Sequence, residues 1–192
     1  ISAIKARQIP LVSEIEFAKR YTNAKTICIT GSNGKTTTTM LTYHILKNAG
    51  LNVGLAGNIG HSFAAQVATS DFDWYVLEIS SFMLDDMYDF KADIAVLLNI
   101  TGDHLDRYDY KLGNYAKSKM RIAQNQNSDD VFMYCADDEE TLKVLKSTKL
   151  NSKTYPFSIR KKIEAGAYLE SNNIHININL DDPLTMSITD LA

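Results

Sequence analysis

Three unbroken apolar runs punctuate the middle of the chain: Trp74-Tyr75-Val76-Leu77, Ile94-Ala95-Val96-Leu97-Leu98 and Val131-Phe132-Met133-Tyr134-Cys135. A strand with one wet face alternates apolar and polar residues, whereas a strand buried on both faces reads as a continuous apolar run. Thr26-Ile27-Cys28-Ile29-Thr30 is a further β-rich stretch. Helical patterns lie between the runs, at residues 81–88, 112–124 and 139–147. Another leaves the segment at 31–34 and ends near Lys47, with Gly50 placed to terminate it. Strand and helix in alternation predict a parallel sheet with helices on both faces.

The two ends differ from this middle. Before residue 22 the pattern predicts a short strand at 9–12. A helix follows it, with Ser13 as cap and Glu16 three residues on, as in a capping box. After Lys149 the texture changes. Residues 173–180 alternate polar and apolar, which predicts an antiparallel strand with one wet face. Residues 155–159 and 167–170 read as its neighbours in a small antiparallel sheet.

The densest chemistry falls between the first β-rich stretch and its helix, in Gly31-Ser32-Asn33-Gly34-Lys35-Thr36. Two glycines let the backbone turn tightly and offer N–H groups to anionic oxygens, and the helix N-terminus adds its positive dipole end. Lys35 supplies a full charge and Thr36 a hydroxyl suited to Mg²⁺. The loop is shorter than the Walker A pattern, which would place Gly at position 29, where this chain has Ile. A plain glycine turn is the competing reading, and the strand–loop–helix context favours phosphate. The fold class expected is therefore α/β, a mostly parallel P-loop-type sheet flanked by helices, with a small appended antiparallel sheet.

Ligands of open α/β sheets collect at the C-terminal ends of the strands. Glu78 follows one apolar run and lands at that edge. A buried acid there is costly unless a partner such as Mg²⁺ satisfies it; pairing with a local Lys or capping the next helix is the bland alternative. The polar segment Asn99-Ile100-Thr101-Gly102-Asp103-His104-Leu105-Asp106-Arg107 follows the next run and reaches the same edge. Asp103 and His104 stand where they can reach metal or phosphate, although an Asp-His pair alone is more often a loop hydrogen bond.

Composition narrows the partners. Hydrophobic residues make up 45% of 192, enough for a real core, and the net charge of −3 gives no electrostatic case for nucleic acid or an anionic membrane. No apolar run reaches the roughly 20 residues of a membrane span. Cys28 and Cys135 sit inside apolar runs and read as buried strand residues rather than a disulfide or metal pair, in keeping with a reducing, cytoplasmic setting. The N-terminus has neither an initiator Met nor a signal-peptide pattern, and the chain reads as a fragment.

Five segments in order resemble the Mur ligase family: residues 31–38 around the glycine loop, Gly57-Asn58-Ile59-Gly60, Glu78-Ile79-Ser80-Ser81-Phe82-Met83-Leu84, the 99–107 segment, and Tyr115-Ala116-Lys117-Ser118-Lys119-Met120-Arg121-Ile122. The stretch from Glu78 to Phe82 is most similar to the branch that adds D-glutamate. The branch that adds L-lysine or diaminopimelate usually has His where Phe82 stands, and folylpolyglutamate synthases usually lack the Ser pair. Met83 stands where that D-glutamate branch commonly has Gln.

The resemblance implies an ATP-dependent amide ligase of peptidoglycan precursor synthesis. ATP phosphorylates the carboxylate of UDP-N-acetylmuramoyl-L-alanine, the amine of D-glutamate attacks the acyl phosphate, and amide, ADP and phosphate result. It implies ATP binding by Gly31, Ser32, Asn33, Gly34, Lys35, Thr36 and Thr37, and catalytic parts for Lys35, His104 and Lys119. Thr36 and Glu78 would hold one Mg²⁺ and His104 a second, with Asn58 and Ser80 on the substrate side. Lys119 falls where the family has a carbamylated lysine, which would make it a metal ligand; a plain helix-surface lysine is the alternative. Lys117, two residues earlier, points to another side of the helix.

The family's three-domain plan makes residues 1–21 the remnant of an N-terminal UDP-sugar-binding domain. Residues 22–192 become a C-terminally incomplete central ATP-binding domain, and the C-terminal amino-acid-binding domain is absent. Such a fragment is expected to be inactive alone, and the enzyme a monomer. Two other readings stay open: another Mur or folylpolyglutamate-type ligase, and a nucleotide-binding regulatory module. Of the remaining polar residues, His44 reads as structural, His61 as a turn residue near substrate, and His175 as outward-facing. The run from Asp137 to Glu140 reads as a helix N-terminus.

Overall fold

The computed structural model describes residue 4, residues 6–178 and residues 182–191. Its first full helix, α1 (Glu14–Lys19), leads to β1 (Lys25–Thr30), α2 (Lys35–Asn48), β2 (Val53–Gly57), α3 (Phe63–Thr69), β3 (Trp74–Glu78), α4 (Ser81–Asp85) and β4 (Ile94–Leu97). A 3-10 turn (Leu105–Tyr108) precedes α5 (Leu112–Met120), then β5 (Val131–Cys135), α6 (Glu139–Leu145), β6 (Lys153–Ser158), β7 (Ala167–Glu170), β8 (Asn173–Ile176) and β9 (Leu184–Ser187).

Among the described residues nine strands form one sheet, in the order β2-β3-β1-β4-β5-β6-β7-β8-β9. Pairing is parallel from β2 through β7 and antiparallel for β7–β8 and β8–β9. The antiparallel strands therefore continue the parallel sheet instead of standing beside it. Of residues 155–159, expected in the antiparallel sheet, those up to Ser158 belong to the parallel part, since β6 pairs parallel with β5 through Tyr155 opposite Met133. The alternating segment forms a strand over Asn173–Ile176; Asn179 and Leu180 lie outside the described residues.

The period-two geometry of β1 divides the core. Ile27 and Ile29 face one way, with Val53, Val76 and the α2 side chains Tyr43 and Leu46. Cys28 faces the other way, into the larger cluster with Leu77, Ala95 and Leu97, which α1, α3, α4 and α5 cover through Ile15, Phe63, Leu84 and Tyr115. Gly50, at φ +83°, ends α2 as expected.

The strand expected at 9–12 is not present. Pro10 has no N–H to give a ladder, and the neighbouring donors are used locally, Ile9 on the Ile4 carbonyl and Ser13 on the Asp86 carbonyl. The capping box is half-formed. The Ser13 hydroxyl accepts from the Glu16 N–H at 3.1 Å, but the Glu16 carboxylate turns inward to the loop after α4, accepting from the N–H groups of Tyr88 (3.1 Å), Asp89 (3.4 Å) and Phe90 (2.8 Å). Burial works to raise the Glu16 pKa, but these donors and Arg20 outweigh it and hold the acid below its ordinary value.

Candidate functional site

The parallel order places the C-terminal ends of β3, β1 and β4 side by side, and three polar loops leave from them. The glycine loop follows β1. A Cβ at Gly31 would press on the Leu98 side chain at 2.9 Å, so glycine lets the loop lie against β4. Gly34 takes φ +80° as the residue before α2, a conformation open to glycine at little cost. Among the described residues no side chain caps α2, which leaves its first-turn N–H groups, around the exposed Thr36 and Thr37, available to an anion. The Lys35 ammonium folds back onto its own loop, donating to the carbonyls of Gly31 (2.9 Å) and Ser32 (3.0 Å).

The loop after β4 staples this cradle. The Asn99 side chain accepts from the Asn33 N–H (2.8 Å) and donates to the Asn33 carbonyl (3.0 Å). The Ser32 hydroxyl bonds both the carbonyl and the N–H of Thr101 at 2.9 Å.

Glu78 ends β3 and is 2% exposed. Thr36 donates its hydroxyl proton to Oε2 at 2.7 Å, and the Asn58 amide donates to Oε1 at 2.8 Å. Asn58 reaches it because Gly57, at φ +102°, brings the backbone so close that a Cβ would overlap the Glu78 carbonyl oxygen. Glu78 thus has two neutral donors and, among the described residues, no cationic partner. A carboxylate with a hydroxyl beside it is an all-oxygen donor set that fits a hard divalent cation. Among the described residues no three His, Cys, Asp or Glu groups converge on one point. Mg²⁺ commonly takes one or two protein ligands and completes its shell with phosphate and water, so the Glu78–Thr36 pair would be enough to hold it.

α5 supplies the third wall. Lys119 is 1% exposed, donates to the Gly31 carbonyl at 2.8 Å, and lies 4.6 Å from the Tyr115 ring centre. Burial, reinforced by the nearby Lys35 charge and opposed by Asp103, pushes its pKa down to about 7. Burial thus favours the neutral amine here far more than at an exposed lysine. Lys117, two residues earlier, is exposed, as the helical geometry requires.

His104 opens the 3-10 turn in a left-handed conformation, φ +48°, with its side chain 57% exposed. Its ring packs edge-on to Phe82 at 5.3 Å and its Nε2 stands 3.6 Å from Asp103 Oδ2. Ser80 caps α4 through its hydroxyl on the Met83 N–H.

Lys35, Asn58, Ser80, His104 and Lys119 together line one pocket of about 140 Å³, with Phe82, Asp103 and Tyr115. Gly31, Ser32, Asn33, Gly34, Thr36 and Thr37 form the adjoining loop and helix start, and Glu78 lies beneath Asn58 and Thr36. A larger cavity of about 480 Å³, lined by Lys25 and Trp74 among others, lies at the N-terminal ends of β1 and β3, away from these groups. His44 is exposed beside Asn48, His61 is exposed next to the edge strand, and His175 stacks on Tyr168 at 4.7 Å instead of standing free. Asp138 caps α6 through the Thr141 N–H and also takes the Ile100 N–H, which ties the acidic run to the loop after β4. Sequence reasoning missed the parts of Asn99, Thr101 and Tyr115. Each lay in a segment singled out for its polarity or spacing, but what they contact depends on strand order.

The site is thus an anion cradle at the carboxyl edge of a parallel α/β sheet, with a buried acid and a buried lysine at its sides. The chain belongs to the Mur ligase family: the Mur ligase middle domain matches residues 29–188. It is 56% identical over 176 residues to a UDP-N-acetylmuramoylalanine–D-glutamate ligase of Bacteroides fragilis, covering 92% of this chain and 40% of that protein. It is 53% identical over 192 residues to the protein of the same name in Christiangramia forsetii, covering all of this chain and 43% of that one. The chain therefore spans about two-fifths of the length of these curated relatives. Among solved structures, MurF ligase from Thermotoga maritima in complex with ADP shares the fold at a TM-score of 0.64 and 20% identity, covering 91% of this chain and 43% of that one. FolC of E. coli, in complex with DHPP and ADP, gives 0.59 at 14% identity, covering 93% and 51%.

Proposed function

We propose that the protein carrying this chain joins D-glutamate to UDP-N-acetylmuramoyl-L-alanine at the expense of ATP, as a cytoplasmic monomer in peptidoglycan precursor synthesis. The observation that carries the reading is the convergence of Lys35, Asn58, Ser80, His104 and Lys119 on one pocket beside the glycine loop. The names of relatives at 50–56% identity support the choice of amino acid. Residues 22–192 are read as the central domain. Residues 1–21 are read as the end of the domain before it, packed here through Ile15 and Ala18.

In this reading the first-turn N–H groups of α2 and the Gly31–Gly34 loop cradle the ATP phosphates. Lys35 swings from the Gly31 and Ser32 carbonyls to the terminal phosphate. An oxygen of the L-alanyl carboxylate attacks the γ-phosphorus and ADP leaves. The amine of D-glutamate then attacks the acyl carbon, gives up a proton, and phosphate departs as the tetrahedral intermediate collapses to amide. Most of the acceleration comes from holding two anions in line and spreading the developing charge. Thr36 and Glu78 would hold one Mg²⁺, and His104 with Lys119, if carbamylated, a second, supplying charge neutralisation at the phosphate oxygens. The neutral amine of Lys119 suits carbamate formation. Asn58 and Ser80 face the acyl substrate.

The test is phosphate release by the complete gene product with ATP, Mg²⁺ and UDP-N-acetylmuramoyl-L-alanine, adding D-glutamate, L-glutamate or L-lysine in turn. Release that depends on D-glutamate is expected. Dependence on another amino acid overturns the substrate, and dependence on none overturns the ligase reading.

A further inference from the structure

The three elements that bear Ser80, His104 and Lys119 meet at one carboxylate outside the pocket. Asp85, the last residue of α4, accepts the Tyr108 phenol proton on Oδ2 at 2.8 Å and the Ser118 hydroxyl proton on Oδ1 at 2.6 Å. Tyr108 closes the 3-10 turn that His104 opens, and Ser118 precedes Lys119 on α5. Both hydroxyl residues are buried, at 7% and 4% exposure. The two hydroxyls approach each other at 3.2 Å, and the Tyr108 ring lies 5.2 Å from that of Tyr115, the ring beside the Lys119 ammonium.

Proton counting shows why an acid is needed. Each hydroxyl has one proton: the Tyr108 phenol gives its own to Oδ2, and the Ser118 hydroxyl, at 2.6 Å from Oδ1, has the Ser81 carbonyl at 3.2 Å as a longer alternative. An asparagine offers one acceptor oxygen and turns an N–H₂ toward the other hydroxyl. With the amide oxygen kept for Tyr108, Ser118 faces the N–H₂ and its proton falls to the longer bond on the Ser81 carbonyl, so the charge-assisted tie from the exposed Asp85 carboxylate to α5 is lost.

We propose that Asp85 is a positioning residue for this site: its carboxylate fixes the turn carrying His104 and the helix carrying Lys119 at a set separation across the end of α4. None of the three network side chains lines the pocket, so Asp85 acts through the groups it holds. The proposal rests on the ligase reading for its effect on turnover, while the mechanical tie itself is measurable without turnover.

The experiment compares Asp85→Asn, Tyr108→Phe and their double variant with the wild type in the complete gene product. Hydrogen exchange, nucleotide affinity and steady-state turnover are read on each. Expected for Asp85→Asn is faster amide exchange confined to residues 103–110 and 112–119, nucleotide affinity within about twofold, and kcat reduced about tenfold to a hundredfold with little change in the KM for ATP. The double variant is expected to be no worse than the poorer single one, because both break the same network. Asp85→Glu, which keeps the carboxylate, is expected to recover part of the kcat. Unchanged exchange at 103–110 overturns the proposal. So do losses that multiply in the double variant, or faster exchange throughout the chain with loss of nucleotide binding. A wild type without D-glutamate-dependent turnover sinks the ligase reading instead, and the exchange comparison then decides by itself whether Asp85 ties these walls.

Discussion

Asn99 grips the backbone of Asn33 at both its N–H and its carbonyl, at 2.8 and 3.0 Å, so that one side-chain amide does for the glycine loop what a neighbouring strand does for a strand. The loop is thereby held in shape before any anion arrives. Asn99→Ala is expected to weaken nucleotide binding about tenfold while the melting temperature changes little, since both residues are at the surface of the sheet edge. Titration calorimetry with an ATP analogue checks it, and unaltered affinity would count against a pre-shaped loop.

Glu78 is buried with two neutral donors, so its charge is the part that a cation would use. Glu78→Gln is expected to keep the fold and to remove most of the Mg²⁺ dependence of nucleotide binding. The ratio of affinities with and without the metal should fall by about tenfold. An unchanged ratio would place the metal elsewhere.

Lys119 carries a pH signature whose sign is fixed by burial. Its folded pKa is about 7 and the ordinary value is 10.5, so between these limits the unfolded chain binds more protons than the folded one. This group's penalty is therefore complete below about pH 7 and fades as pH rises toward 10.5. Lys119→Met is expected to stabilise the fold by about 1–2 kcal/mol near neutrality, with the gain shrinking in alkali, while ligation is lost. Denaturant midpoints measured across that range test it; a gain that grows with pH would reverse the assignment.

Glu16 has the opposite slope. Its folded pKa lies below 4.5, so its contribution is present above that value and lost as pH falls through the folded pKa. Glu16→Gln is expected to cost about 1–3 kcal/mol at neutral pH and to flatten the acid limb of the stability curve. Equal acid sensitivity in wild type and variant would show that another carboxylate sets that limb.

Gly57→Ala places a methyl group on the Glu78 carbonyl in a left-handed conformation. The expected loss is about 3 kcal/mol, with Asn58 drawn off the acid. Thermal unfolding gives the first part, and a raised KM for the acyl substrate in the complete gene product gives the second.

Much of this was legible from residue order. The unbroken apolar runs gave β3, β4 and β5, although only β3 is buried along most of both faces while β4 and β5 keep one half-buried face, and the glycine loop stood out by composition. Strand order was not legible, and it makes Asn99 a neighbour of Asn33 and carries β6 into the parallel part of the sheet. Residues 9–12 misled because an apolar stretch with β-favouring residues resembles a strand whether or not an edge is free to receive it. Glu16 stood at the right spacing for a capping box, yet three N–H groups more than 70 positions away outcompeted the single local one.

Lys35 and Lys119 both donate to the Gly31 carbonyl, at 2.9 and 2.8 Å. One oxygen can serve two donors, but it cannot cancel two positive charges, and their mutual repulsion is part of what depresses the Lys119 pKa. Drawing Lys35 outward would remove one positive charge from the surroundings of Lys119, so the protonation of one wall of the cradle is coupled to the position of a side chain on the other.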